Sequence, residues 1–174
     1  MMVRMVAEGT RIRDYEEVDA PAIARLFYET VRSVNGTDYS KEQVQAWAPA
    51  IPDAREWHAR MANRKTLVAE EGGEVVGFSE LEKDGHLDML YLRKDAVGLG
   101  VGRLLYAATE QAALGWGLGR IFTEASVTAR PFFEQQGFCV LRKRMVTRLG
   151  VGLTNFAMEK TLCSPDGEGE QEVL

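Results

Sequence analysis

Three glycines at alternate positions, in Val97-Gly98-Leu99-Gly100-Val101-Gly102, constrain this chain more than any other feature. The run follows a strand-like segment, Leu87 to Leu92, and opens a helix-like one, Arg103 to Leu114. Glycine there removes each Cβ where a helix begins, and the first backbone N–H groups of a helix have no partner within it. Such a turn can face an anion without a side-chain cation, and a pyrophosphate suits it. Glycine runs also serve as simple tight turns, so the neighbouring letters decide what this one holds.

Two other phosphate motifs fail on those letters. A P-loop ends in Gly-Lys-Ser/Thr, whereas Gly102 is followed by Arg103-Leu104. A dinucleotide fingerprint needs a small residue where Arg103 stands, within a first βαβ unit, and here several strand candidates come earlier.

The 174 residues, 45% of them hydrophobic, suffice for one compact domain with its own core. We place that domain at 10–163, after an N-terminal extension (1–9). Residues 164–174 carry four acids and no base and read as an acidic disordered tail. No apolar run approaches the roughly 20 residues of a bilayer span, and the N-terminus shows no secretory signal. Cys139 and Cys163 read as reduced thiols of a cytoplasmic protein rather than a disulfide. A net charge of −5 argues against nucleic acid or an anionic membrane as main partner, and it suits a cationic amine. Two histidines and two distant cysteines offer no metal-ligand spacing, so no metal is expected.

Along the chain, Thr10 to Tyr15 reads as an edge strand. Asp19-Ala20-Pro21 then caps a first helix whose Ile23, Leu26, Phe27 and Val31 recur at helical spacing, and Asn35-Gly36 ends it. Lys41 to Trp47 and Asp53 to Asn63 read as two short helices. Their Trp47, Trp57 and Met61 either pack on a sheet or line a substrate mouth. Strands at Thr66 to Glu70 and Val75 to Glu82 flank a Glu71-Gly72-Gly73 turn, and Asp84-Gly85 leads into His86 to Leu92. After the glycine run, Val101, Leu104, Leu105, Ala108 and Ala112 form one helical face. Ile121 to Ala125 reads as a buried strand and Thr128 to Gln136 as a helix. Phe138 to Arg148 and Leu153 to Leu162 form a hairpin across Gly150-Val151-Gly152. The resulting fold class is α+β, a mixed, mostly antiparallel central sheet with helices on both faces.

This order resembles the GNAT superfamily of N-acetyltransferases over roughly Thr10 to Leu162. The glycine frame matches the family's Gln/Arg-x-x-Gly-x-Gly/Ala, with Val97 in place of the polar residue. Ser126-Val127-Thr128-Ala129-Arg130-Pro131-Phe132-Phe133-Glu134-Gln135-Gln136-Gly137-Phe138 resembles its Asn-x-x-Ala-x-x-Phe-Tyr-x-x-x-Gly-Phe, with Ser126 for Asn and Phe133 for Tyr. The resemblance implies acetyl-CoA as cosubstrate and an amine acceptor, with direct transfer between them. It further implies that the strands at His86 to Leu92 and Ile121 to Ala125 are parallel neighbours that splay. The pantetheine arm would pair with Leu90 and Leu92, beside Tyr91. The diphosphate would rest on Val97, Gly98, Leu99, Gly100, Val101 and Gly102, with Arg103 either adding a contact or facing solvent. Ala129 and Phe133 would flank the thioester, and Ser126 is counted among the cofactor-binding residues.

Transfer needs a base to take a proton from the acceptor's ammonium. Asp88 and His86 are the first candidates, since alternation puts both on one face of their strand. Glu80 on the preceding strand is the third, and Glu124 a further carboxylate. A backbone N–H near Leu90 would steady the oxyanion. Phe133 cannot donate to the departing thiolate as the family's Tyr does. The runner-up is an acyl-CoA-binding module without catalysis. Homodimerisation would use the terminal strands.

Overall fold

The computed structural model describes residues 9–163, so the tail and all of the N-terminal extension but Gly9 lie outside the described residues. The chain runs β1 (Arg11–Asp14), α1 (Ala20–Ser33), α2 (Lys41–Trp47), α3 (Ala54–Met61), β2 (Lys65–Glu71), β3 (Glu74–Leu81) and β4 (Leu87–Leu92). It continues α4 (Val101–Gly115), β5 (Arg120–Ser126), α5 (Arg130–Gln135), β6 (Cys139–Arg148) and β7 (Val151–Thr161). This is the expected mixed α+β fold. No described helix is long and apolar enough to cross a membrane.

The strands fall into two antiparallel sheets, ordered β1-β2-β3-β4 and β5-β7-β6. Between them β4 and β5 run parallel, joined by an isolated bridge at His86 and Phe122. There the Phe122 N–H donates to the Gly85 carbonyl (3.0 Å) and the Thr123 hydroxyl to the Leu87 carbonyl (2.7 Å). Beyond that point the strands diverge, leaving a V between the sheets.

Each face of the sheets is covered. Ile23, Phe27 and Val31 of α1 pack with Val44, Met61 and Phe78. On the other side Leu105 of α4 packs on Val76, and Tyr106 joins Ile121, Phe133, Phe138 and Met158. Trp57 and Trp47 pack half-buried against the first cluster, and Trp47 also lines the V. Ser40 caps α2 by accepting from the Gln43 N–H, and Asp53 caps α3.

Several local expectations change. The helix after the glycines begins at Val101, so the last two letters of the run are already its first turn. Its buried face is Val101, Gly102, Leu105, Tyr106, Thr109 and Ala113, while Leu104, Ala108 and Ala112 sit half-buried on the flank. The helix is turned so that the Thr109 and Ser79 hydroxyls bond at 2.7 Å inside the core. Asp19 precedes α1 without capping it. Its carboxylate turns back to the Glu16 N–H and to Arg13. The terminal turn is Leu149-Gly150, both at positive φ, and Val151 and Gly152 already belong to β7. Finally, β5 alternates in burial rather than being buried throughout.

Candidate active site

The V between β4 and β5 opens into a cleft of about 690 Å³. Its walls are Leu90 and Leu92 of β4, Thr123 to Ser126 of β5, and Phe132 and Phe133 of α5. At one end lie Gly98, Leu99, Gly100 and Gly102, and at the other Asn35, Trp47, Asp88 and Glu124.

Backbone direction explains the β4 wall. The Arg93 N–H donates to the Val76 carbonyl on the β3 side (2.8 Å), so by alternation Leu92 and Leu90 turn their polar groups into the V. The Leu92 carbonyl already accepts from the Thr30 hydroxyl (2.7 Å).

At the far end of β4, Gly100 adopts φ 90°, a left-handed conformation open to glycine, and becomes the residue from which α4 starts. The Leu104 N–H returns to the Gly100 carbonyl. The amides of Val101, Gly102 and Arg103 therefore point out of the helix end with its positive dipole. Gly102 has a different task. A Cβ there would meet Leu92 Cδ1 and Phe132 Cε2 at 3.2 Å, so its bareness lets α4 close on the cleft wall. Val97, Leu99 and Arg103 are exposed around the mouth.

On the β5 side Ser126 Oγ accepts from the Ala129 N–H (3.0 Å) and from Asn35 Nδ2 (3.4 Å). Thr128 Oγ1 lines the cleft, buried and without a hydrogen-bond partner among the described residues. Phe133 is buried edge-on against Phe132 and Phe138, a core side chain whose surface reaches the cleft. Tyr91 faces away from the V, packed on Phe27 and Phe78. Burial raises its phenol well above the usual range.

The proposed proton-moving residues are placed differently from one another. Partner pairing jumps from Glu80–Met89 to Leu81–Leu87, so Asp88 is an extra residue bulged out of β4. That bulge breaks the alternation expected to pair His86 with Asp88, and no ion pair joins them among the described residues. Instead Asp88 Oδ2 receives Arg60 Nη2 and Arg64 Nη1. Both arginines also hold Glu80, which is fully buried and outside the cleft. Asp88 itself reaches the cleft, as does Glu124.

His86 lies at the apex of the V, flat on the Phe122 ring (centroids 5.0 Å, 13°). Its Nδ1 is 3.1 Å from Glu82 Oε1 and its Nε2 2.6 Å from Glu124 Oε2. Burial works against its charged form, but the Glu124 and Glu82 carboxylates outweigh that and raise its pKa above the ordinary value. Arg144 holds the other oxygen of Glu124 at 3.3 Å. Arg60, Arg64 and Glu82 escaped the sequence reading. The i,i+4 spacing of the two arginines was the one signal available.

A split sheet whose open strand leads to a bare helix start makes a long cleft that ends in outward-pointing amides. The chain belongs to the GNAT acetyltransferase family: the family model described as acetyltransferase (GNAT) domain matches residues 35–162. It is 30% identical over 149 residues to the uncharacterized N-acetyltransferase YafP of Escherichia coli (strain K12), covering 85% of this chain and 93% of that one. A GCN5-related N-acetyltransferase from Rhodopseudomonas palustris is 34% identical, with a TM-score of 0.85 over 93% of this chain and 99% of its own. A phosphinothricin acetyltransferase from Sinorhizobium meliloti in complex with AcCoA shares the fold at 18% identity (TM-score 0.70, 95% and 98% covered). The protein is an acetyltransferase of this family. The residues present suit acetyl-CoA: outward amides for a diphosphate, free strand groups for an amide arm, and a cleft-lining Thr128 hydroxyl without a partner among the described residues.

Proposed function

We propose that the protein transfers acetyl from acetyl-CoA directly to a primary amine of a small molecule or protein, with both bound in one complex. The observation that carries this reading is the open edge of β4, which runs from an acidic end of the cleft to the amide cradle. The pantetheine arm lies along Leu90 and Leu92, using chiefly the groups of Leu90. The diphosphate rests on the Gly98–Gly102 turn, with Val97, Leu99, Val101 and Arg103 around it. The thioester sits near Ser126, Ala129 and Phe133.

The amine enters between Asn35, Trp47, Asp88 and Glu124. Asp88, with Oδ2 fixed by two guanidiniums, holds the acceptor nitrogen. Glu80 anchors those guanidiniums from below and does not meet substrate. An N–H of the β4 edge near Leu90 steadies the tetrahedral oxyanion. Phe133 has no proton to give, so sulfur leaves as thiolate, which a thiol pKa near about 8.5 permits. The exposed thiols of Cys139 and Cys163 suit a reducing, cytoplasmic setting. Homodimerisation through the terminal strands belongs to the same reading, with neither nucleic acid nor membrane as partner.

Calorimetric titration with acetyl-CoA, followed by thiol release across a panel of peptides and polyamines, tests it. Binding with amine-dependent thiol release is expected. A chain that neither binds acetyl-CoA nor releases thiol with any amine ends the proposal.

A further inference from the structure

We infer that Glu124, His86 and Glu82 form a proton relay that carries the acceptor's proton out of the cleft through the apex of the V. The inference rests on the acetyltransferase reading above and adds the route by which the amine is neutralised. Three side chains from different elements meet in series. Glu124 of β5 lines the cleft, the imidazole of His86 spans the junction, and Glu82 stands just past β3 on the outside. Both ring nitrogens are engaged, one towards each carboxylate, and Phe122 beneath the ring fixes its plane.

The location gives the relay its purpose. Once acetyl-CoA and an acceptor fill the cleft, the face of Glu124 turned to substrate is closed to water. Its other side still contacts His86, whose far nitrogen reaches Glu82, a third of whose side chain is in solvent. In the forward direction an N–H of the ammonium breaks and its proton joins the Glu124 carboxylate. That proton passes to Nε2 of neutral His86, Nδ1–H passes to Glu82, and Glu82 releases it to water. The amine nitrogen keeps the electron pair with which it attacks the thioester carbonyl.

The relay works from neutral imidazole, and its surroundings set when that form is present. Glu124 and Glu82 meet the ring nitrogens, Asp88 adds its charge from nearby and Asp84 accepts from the His86 backbone N–H, favouring the cation. Arg64 on Glu82, Arg144 on Glu124 and Arg120 over Phe122 temper them. Turnover of ammonium acceptors should therefore rise with pH through a midpoint above the ordinary histidine value.

The test compares wild type, His86→Gln and Glu82→Gln in acetylating spermidine, a lysine peptide and an alanine-amino-terminal peptide, with hydroxylamine as an acceptor that needs little deprotonation. Expected results are loss of the rising pH limb in His86→Gln and a kcat lowered about 100-fold for ammonium acceptors. The KM for acetyl-CoA should stay within about threefold, and the ratio of ammonium to hydroxylamine rates should fall at least about tenfold. Glu82→Gln, which removes the relay's outer proton acceptor, should lower kcat for ammonium acceptors at least about tenfold and move the remaining limb to lower pH. An unchanged pH profile in both variants, or equal loss with every acceptor, overturns the relay while leaving the acetyltransferase reading intact. A wild type that acetylates none of the four overturns that reading and the relay together.

Discussion

The His86 imidazole lies flat on the Phe122 ring, with 5.0 Å between centroids, at the bridge where the two sheets meet. That contact closes the V at one end and so defines where the cleft begins. Because carboxylates surround the ring, the charged imidazole is favoured in the folded state over the unfolded chain. A raised folded pKa contributes stability below the unfolded value of about 6.5 and loses it as pH rises through the folded value. Urea midpoints of wild type and His86→Gln should differ most near about pH 6 and converge in mildly alkaline buffer. A difference that grows with pH would contradict the assignment.

Gly100 sets the direction of the α4 amides. A Val at φ 90° carries a conformational cost of about 1–2 kcal/mol, and no neighbour within 4 Å would add a clash. The turn can relax only by re-aiming the amides of Val101, Gly102 and Arg103. Gly100→Val should weaken acetyl-CoA binding about tenfold or more in calorimetry, with a small loss of thermal stability.

Glu80 shows how a buried carboxylate outside the cleft can still govern the site. It is fully buried, and Arg60 and Arg64 reach over it to Asp88. Removing both guanidiniums leaves a buried charge uncompensated, at a cost of about 3 kcal/mol. The Arg60→Met/Arg64→Met pair should lower the urea midpoint accordingly, and adding Glu80→Met should recover most of it. The triple variant should nevertheless bind its amine acceptor poorly, because Asp88 is no longer held.

Element order, the hairpins and the glycine cradle were legible in the sequence because each rests on local chemistry. Turn glycines, helix caps and alternating apolar letters act within a few residues. The bulge at Asp88 was not legible, since one extra residue in β4 shows only against its partner strand. It breaks the alternation that put His86 and Asp88 on one face. Likewise the Arg60–Glu80–Asp88 cluster joins residues 20 and 28 positions apart, through a helix whose docking no local pattern records. The α4 face was misjudged by one position because a buried hydroxyl pair, Ser79 and Thr109, takes a place that apolar periodicity assigns to alanine.

Strand β6 is the free edge of its sheet, and it exposes Leu141 and Met145, with Leu149 at the turn beyond. Long open edges with apolar side chains pair with other chains unless charge prevents it. If the dimer forms there, the Leu141→Lys/Met145→Lys double variant brings like charges together across the two-fold axis and separates the subunits. Sedimentation velocity should then show a dimer for wild type and a monomer for the variant. Acetyl-CoA affinity should be equal in both, because the cleft lies at the opposite edge of that sheet, beside β5. A wild type that sediments as a monomer at every concentration removes the terminal strands as an interface.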